Sequence, residues 1–253
     1  MNRLYIRDRL RAGECLVGCF VQTPSLAVAE VLATSGFDLL VPDAEHAPLT
    51  PLDIQTIIAG AHLHGIPALV RVAGAEQSAI QYALDAGAAG VIVPYIETAE
   101  QAQAVCDLAR YAPQGRRGSG PGRASLYGLD RIDGVQDAAA HTLVSVQIES
   151  KRGVENLASI LAVDGIDMVF VGPNDLSLSL GNPDAAELRA VIEGVLSTAH
   201  AQGVMTGILA PTGELAKTYR EMGVHLLLTG TDLGMLATQA RTVSHDARAK
   251  ANQ

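Results

Sequence analysis

The chain has 253 residues, 48% of them hydrophobic, which is enough to bury one large core as a single domain over 1–253. A formal net charge of −9, with the arginines scattered, argues against a nucleic acid partner, and no apolar run approaches the roughly 20 residues that span a bilayer. The opening MNRLYIRDRLRAGE carries no secretory segment, and Cys15, Cys19 and Cys106 form no CxxC pair, so a soluble cytoplasmic protein with reduced thiols is predicted.

In chain order, a helix is expected over 4–11, ahead of short β-branched or Leu-rich runs that alternate with Ala-, Glu- and Gln-rich helical patterns. Strands are expected at 16–20, 37–41, 67–71, 90–93, 142–148, 167–171, 204–208 and 225–228. Helices are expected at 25–35, 52–64, 76–86, 99–111, 153–163, 185–202, 213–222 and 232–243. Glycines that end helices follow several of them, at Gly36, Gly65, Gly87, Gly203 and Gly223. Repeated βα units of this number predict an α/β fold, a single (β/α)8 TIM barrel with an extra N-terminal helix. An open doubly wound sheet is disfavoured, because the first turn, Val21-Gln-Thr-Pro-Ser25, is not glycine-rich. A loop over 112–141 contains Gly118-Ser-Gly-Pro-Gly122, which follows no strand and opens no helix; a shaped loop over the barrel mouth is expected there rather than a phosphate cradle.

Barrel enzymes carry their reacting groups at the carboxyl ends of the strands. Polar residues that a core would not tolerate stand at four such ends: Asp43-Ala-Glu45-His46, Arg71, Gln147-Ile-Glu149 and Gly172-Pro-Asn-Asp175. Glu149 and Asp175 offer hard oxygen ligands from adjacent strands, a set that suits one divalent ion of the Mg²⁺, Mn²⁺ or Co²⁺ kind better than caged zinc. An α-keto acid taking open positions on such an ion would have its carbonyl polarised, with Arg71 as a second positive partner. His46 is the candidate base, oriented by Glu45 or Asp43. Any one of these residues alone reads equally well as a helix cap or a structural ion pair; nothing structural requires all of them to converge on one barrel face. The other histidines are read as structural or solvated. The three lysines, Lys151, Lys217 and Lys250, all fall outside the strands, which disfavours an imine as electron sink.

Over essentially its whole length the sequence resembles the HpcH/HpaI aldolase family, whose members include 4-hydroxy-2-oxoheptanedioate and 2-dehydro-3-deoxyglucarate aldolases. The resemblance is carried by Gly36-Phe-Asp38, Asp43-Ala-Glu-His-Ala-Pro48, Val70-Arg71, Leu84-Asp-Ala-Gly87, Gly115-Arg-Arg-Gly118, Val146-Gln-Ile-Glu149, Phe170-Val-Gly-Pro-Asn-Asp-Leu176 and Gly207-Ile-Leu209. It implies a metal held by Glu149 and Asp175, His46 as proton acceptor, Arg71 stabilising an enolate, and Gln147, Gly172, Asn174 and Asp175 at the substrate. It further implies that Asp85 raises the basicity of His46, although the helix over 76–86 should deliver Asp85 to the opposite end of the barrel. Either that helix boundary lies elsewhere or a neighbouring subunit supplies the carboxylate. The resemblance also implies a homohexamer, a trimer of dimers that exchange the helix over 232–243, and a place in aromatic or sugar acid catabolism.

The expected reaction is therefore a class II aldol cleavage of a 4-hydroxy-2-oxo acid to pyruvate and an aldehyde, a carbon–carbon lyase activity on small-molecule substrates. The nearest alternative is oxaloacetate decarboxylation to the same enolate, as in macrophomate synthases. An alternative of another class is a keto-acid binding barrel without turnover.

Overall fold

The computed structural model describes residues 5–129 and 140–248. Eight parallel strands form one sheet in the order β2-β1-β8-β7-β6-β5-β4-β3. They are β1 (Leu16–Val21), β2 (Leu39–Pro42), β3 (Leu69–Arg71), β4 (Gly90–Val93), β5 (Leu143–Ile148), β6 (Met168–Val171), β7 (Met205–Leu209) and β8 (Leu226–Thr231). The end strands meet through bridges between Leu40 and Ala68 and between Asp43 and Arg71, closing the sheet into the expected (β/α)8 barrel.

Side chains alternate across each strand, so the barrel has two apolar compartments. Leu16, Phe20, Leu39, Leu69, Ile92, Leu143, Met168, Phe170 and Leu226 fill the interior, while the outward set packs under the helices. Helix α1 (Ile6–Arg11) contributes Ile6 and Leu10 to the interior cluster and so plugs the amino-terminal end. Arg7 and Arg11 pin it there, on Asp167 at 2.6 and 3.1 Å. Residue 4 of the expected helix lies outside the described residues.

The return helices are α2 (Leu26–Ala33), α3 (Pro51–Leu63), α4 (Gln77–Asp85), α5 (Ala99–Ala109), α6 (Lys151–Glu155), α7 (Leu157–Leu161), α8 (Pro173–Ser179), α9 (Ala185–Ala201), α10 (Gly213–Glu221) and α11 (Asp232–Arg248). Thr50 with Asp53 and Thr98 with Gln101 form capping boxes that start α3 and α5. Two elements differ from the sequence pattern. The helix expected at 153–163 is broken at Asn156, whose side-chain amide turns away to donate to the Glu97 carbonyl at 2.8 Å. Helix α8 is not among the expected helices; Pro173 at its first position and Gly172 before it are its start signal.

The 112–141 loop does not roof its own barrel mouth among the described residues. It runs along α4, with Gly118 facing Gln81 and Gly122 facing Asp85. Residues 130–139 of it lie outside the described residues.

Helix α11 has Asp232 as its buried residue and leaves Leu233, Leu236 and Val243 exposed. No helix among the described residues is long and apolar enough to cross a membrane. The three cysteines are unpaired, and burial pushes the Cys19 and Cys106 thiols up to about 12.

Candidate active site

The strand ends deliver their polar side chains to one mouth. A cavity of about 150 Å³ there is lined by His46, Arg71, Gln147, Gly172, Asn174 and Asp175, with Phe20, Phe170 and Leu209 as its apolar wall.

Arg71 is the last residue of β3 and points up the barrel, where its guanidinium lies 4.1 Å over the Phe20 ring. Its Nε and Nη2 donate to the two oxygens of Asp43 at 2.9 and 2.8 Å. Asp43 also accepts from Gln22 Nε2 at 3.0 Å and from the backbone N–H groups of Glu45 and His46 at 3.3 and 3.2 Å. One buried carboxylate thus holds the arginine and shapes the turn that presents His46. Burial alone would raise the Asp43 carboxyl, but hydrogen bonds and charge from Arg71, with help from Gln22 and His46, hold it below the usual range.

Glu45 sits between the arginine and the histidine, with Oε2 3.3 Å from Arg71 Nη1 and 3.8 Å from His46 Nε2. Burial raises its carboxyl to about 7; Arg71 pulls it down, while Asp43 and Asp175 add to the rise. His46 itself is exposed at the rim.

Across the mouth, Glu149 follows β5 and is buried. Its Oε1 accepts from the backbone N–H of Tyr95 at 2.8 Å, and its Oε2 accepts from the Gln147 side chain. Burial raises Glu149 to about 7, those two hydrogen bonds lower it, and Glu45 and Asp175 raise it again. Asp175 lies in the first turn of α8.

Three features fit a divalent ion between Glu149 and Asp175. The carboxylates of Glu149, Asp175 and Glu45 repel one another without a cation of matching charge. Gln147 Oε1 is buried without a hydrogen-bond partner among the described residues. Gly172 keeps the space open, since a Cβ there would meet Glu149 Oε2 at 2.6 Å and Gln147 Nε2 at 3.2 Å. The donor set is sparse, however: among the described residues no three His, Cys, Asp or Glu side chains gather around one point. Two oxygen ligands with open positions are the hard, substrate-completed kind of site rather than a protein cage.

Asp85 is not part of this cluster. It ends α4, as the sequence pattern indicated, and β4 then begins in register with Leu69, the first residue of β3, so Asp85 lies at the amino-terminal end of the barrel. There it accepts from Arg117 Nη2 at 2.8 Å, and Arg117 stacks over Tyr111 at 4.8 Å. Of the two explanations open for Asp85, a misplaced helix boundary is thereby removed.

Sequence reasoning missed Tyr95, Gln22, Phe20 and Asp232. Asp232 opens α11 and accepts from the backbone N–H groups of Gln22 and Thr23, each at 2.9 Å, which ties the last helix to the loop whose Gln22 grips Asp43. Lys151 is 66% exposed and faces Glu155 at 4.0 Å, outside the barrel.

The family model of HpcH/HpaI aldolase/citrate lyase matches residues 16–239. A 2-keto-3-deoxy-L-rhamnonate aldolase of Salmonella gallinarum is 37% identical over 92% of this chain and 89% of its own. A hydroxypyruvate/pyruvate aldolase of Roseovarius nubinhibens is 37% identical over 93% of each chain. The crystal structure of an HpcH/HpaI aldolase/citrate lyase family protein from Burkholderia cenocepacia superposes with a TM-score of 0.90 at 35% identity, covering 96% of this chain and 99% of that one.

Proposed function

The chain belongs to the HpcH/HpaI aldolase/citrate lyase family, and on that premise we propose that it is a class II aldolase cleaving a 4-hydroxy-2-oxo acid reversibly to pyruvate and an aldehyde. Relatives at 37% identity are named aldolases of 2-oxo acids, which supports a lyase acting on small molecules. The observation that carries the reading is that His46, the paired Arg71 and Asp175 line one cavity, with the buried Glu149 carboxylate against its Gly172 wall.

Glu149 and Asp175 would hold a divalent ion, Mg²⁺, Mn²⁺ or Co²⁺. Bound there, it would polarise the keto oxygen of the substrate and offset the charge of the enolate. Arg71, fixed by Asp43, donates to the same developing oxygen, and its Nη1 is the nitrogen left outside the Asp43 fork. Gln147, Gly172 and Asn174 seat the oxo-acid end against the start of α8. In cleavage, His46 takes the proton of the C4 hydroxyl as the C3–C4 bond breaks; the electron pair passes to C3 and C2, and the aldehyde leaves. Return of a proton to C3 gives pyruvate. In synthesis the same steps run backwards.

Asp85 is read as acting on His46 across a subunit boundary, in a homo-oligomer built as a trimer of dimers. The apolar residues that α11 exposes, Leu233, Leu236 and Val243, support its exchange between subunits. A soluble cytoplasmic enzyme of aromatic or sugar acid catabolism fits this chemistry.

The test is pyruvate release from 4-hydroxy-2-oxo acids of graded length, by wild type and by Glu149→Gln. Release that is lost in the variant supports the reading; no release from any length would overturn it.

A further inference from the structure

In the closed sheet β1 and β5 face each other across the mouth. The β5 side, with α8, carries Gln147, Gly172 and Asn174 for the oxo-acid end. On the β1 side two further polar residues line the same cavity, Gln22 just beyond β1 and Thr231 at the end of β8.

Strand period alone would not bring Thr231 there. Leu226 and Leu228 belong to the interior cluster, so alternation along β8 would turn Gly230 inward and Thr231 outward. The register, however, pairs Gly18 with Leu228 and Phe20 with Thr231, two steps of β1 against three of β8. Gly230, at φ 128, takes up the extra residue, and this bulge turns Thr231 to the face of Phe20. Thr231 Oγ1 accepts from the Gly234 N–H at 2.9 Å, and its own hydrogen meets no acceptor among the described residues.

Gln22 continues the inward face of Gly18 and Phe20 and is held at both ends. Its backbone N–H donates to Asp232 Oδ1 at 2.9 Å, and its Nε2 donates to Asp43 Oδ2 at 3.0 Å. Asp43, forked on Arg71, is a carboxylate that only accepts, so the nitrogen of the amide must face it and Oε1 must face away. That oxygen makes no hydrogen bond among the described residues and is not among their buried orphan atoms, so it stands open in the cavity that Gln22 lines. A fixed acceptor and a spare donor thus interrupt a wall otherwise made by Phe20 and Leu209.

We propose that Gln22 and Thr231 form a hydroxyl subsite for the aldehyde fragment: Gln22 Oε1 accepts from, and Thr231 Oγ1 donates to, a hydroxyl on the carbon next to the aldehyde, so that 2-hydroxyaldehydes are selected over apolar ones. The proposal rests on the aldolase reading. With His46 at the C4 hydroxyl and the oxo acid on the β5 side, the substrate beyond C4 meets the β1 side of the cavity. An apolar fragment there would strip water from both polar groups and return no hydrogen bond, which is how such a site discriminates.

The experiment is aldol addition of pyruvate, with Mn²⁺ present, to glycolaldehyde and to propanal, two aldehydes of equal size that differ by a hydroxyl in place of a methyl. The readout is the ratio of their kcat/KM values, which cancels any loss common to both. Gln22→Met, which also loses the Asp43 contact, should lower both rates and reduce the ratio by about tenfold. Thr231→Val leaves the Asp43 contact intact and should reduce the ratio by about threefold or more, whereas Thr231→Ser, which keeps the hydroxyl, should retain it. Thr231→Val decides the matter if Gln22→Met is too slow to measure. A ratio unchanged from wild type in Thr231→Val, or in a measurable Gln22→Met, would overturn the subsite while leaving the aldolase reading intact. Wild-type protein that adds pyruvate to neither aldehyde and releases it from no 4-hydroxy-2-oxo acid would overturn both together.

Discussion

Arg71 and Asp43 meet in a two-pronged ion pair, 2.9 and 2.8 Å, on a bridge that closes the barrel between β2 and β3. The pair therefore has two duties, one structural and one chemical. Both partners are buried, and a buried pair broken on one side leaves an uncompensated charge. Asp43→Ala is expected to cost about 3 to 5 kcal/mol in urea denaturation. Glu45, 3.3 Å from Arg71 Nη1, should take over as its counter-ion and limit the loss to the lower end of that range.

Arg71→Lys keeps the charge and removes the fork. Lysine cannot donate to both Asp43 oxygens and to substrate at once. Steady-state kinetics should show kcat reduced by about 10²-fold, the usual effect of losing one oriented donor at a developing oxyanion, with KM changing far less. A variant with wild-type kcat would remove Arg71 from the reacting oxygen.

Metal-free protein should show a particular pH dependence. Burial first, then the neighbouring carboxylates, raises Glu45 and Glu149 to about 7, whereas a carboxyl of the unfolded chain titrates near ~4.3. Between those values the folded state binds protons that the unfolded state has released. The contribution is thus fully present below the unfolded value and is lost as pH rises through about 7. Thermal denaturation of stripped protein should give a falling Tm from about pH 5 to about pH 8. Added Mn²⁺, which binds the charged carboxylates, should raise Tm most at the alkaline end.

Asp85 lends itself to complementation between inactive variants. If its carboxylate reaches His46 of a neighbouring subunit, mixing His46→Ala with Asp85→Ala and allowing subunits to exchange should restore activity that neither has alone. Continued inactivity of mixed oligomers, with exchange verified by mass spectrometry, would confine Asp85 to its pair with Arg117.

Much of the fold and of the site was legible in the sequence because both obey local rules. Short β-branched or Leu-rich runs ended in residues that no core accepts, so Arg71, Gln147 and Glu149 announced the mouth. Helix α8 was not legible: Gly172-Pro173 can start a helix, but the Asn-Asp that follows reads equally as a turn. Tyr95 gave no signal, since nothing in Val-Pro-Tyr-Ile marks a non-glycine for left-handed φ; that conformation comes from the Glu149 contact, 54 residues away in sequence. The described part of the loop after α5 departs from its expected place for a similar reason. Its position beside α4 depends on Arg117 reaching Asp85 and Arg123 reaching the Ala86 carbonyl, long-range contacts that periodicity does not encode.

Stabilisation of the enolate at a carboxylate-held ion, and not through an imine, is tested most directly by measuring pyruvate release after treatment with EDTA, after readdition of Mg²⁺ or Mn²⁺, and after borohydride in the presence of substrate. Activity lost to EDTA, restored by the metal and indifferent to borohydride is the expected result. Activity that survives EDTA and dies with borohydride would contradict it and shift attention to Lys151, at the start of α6.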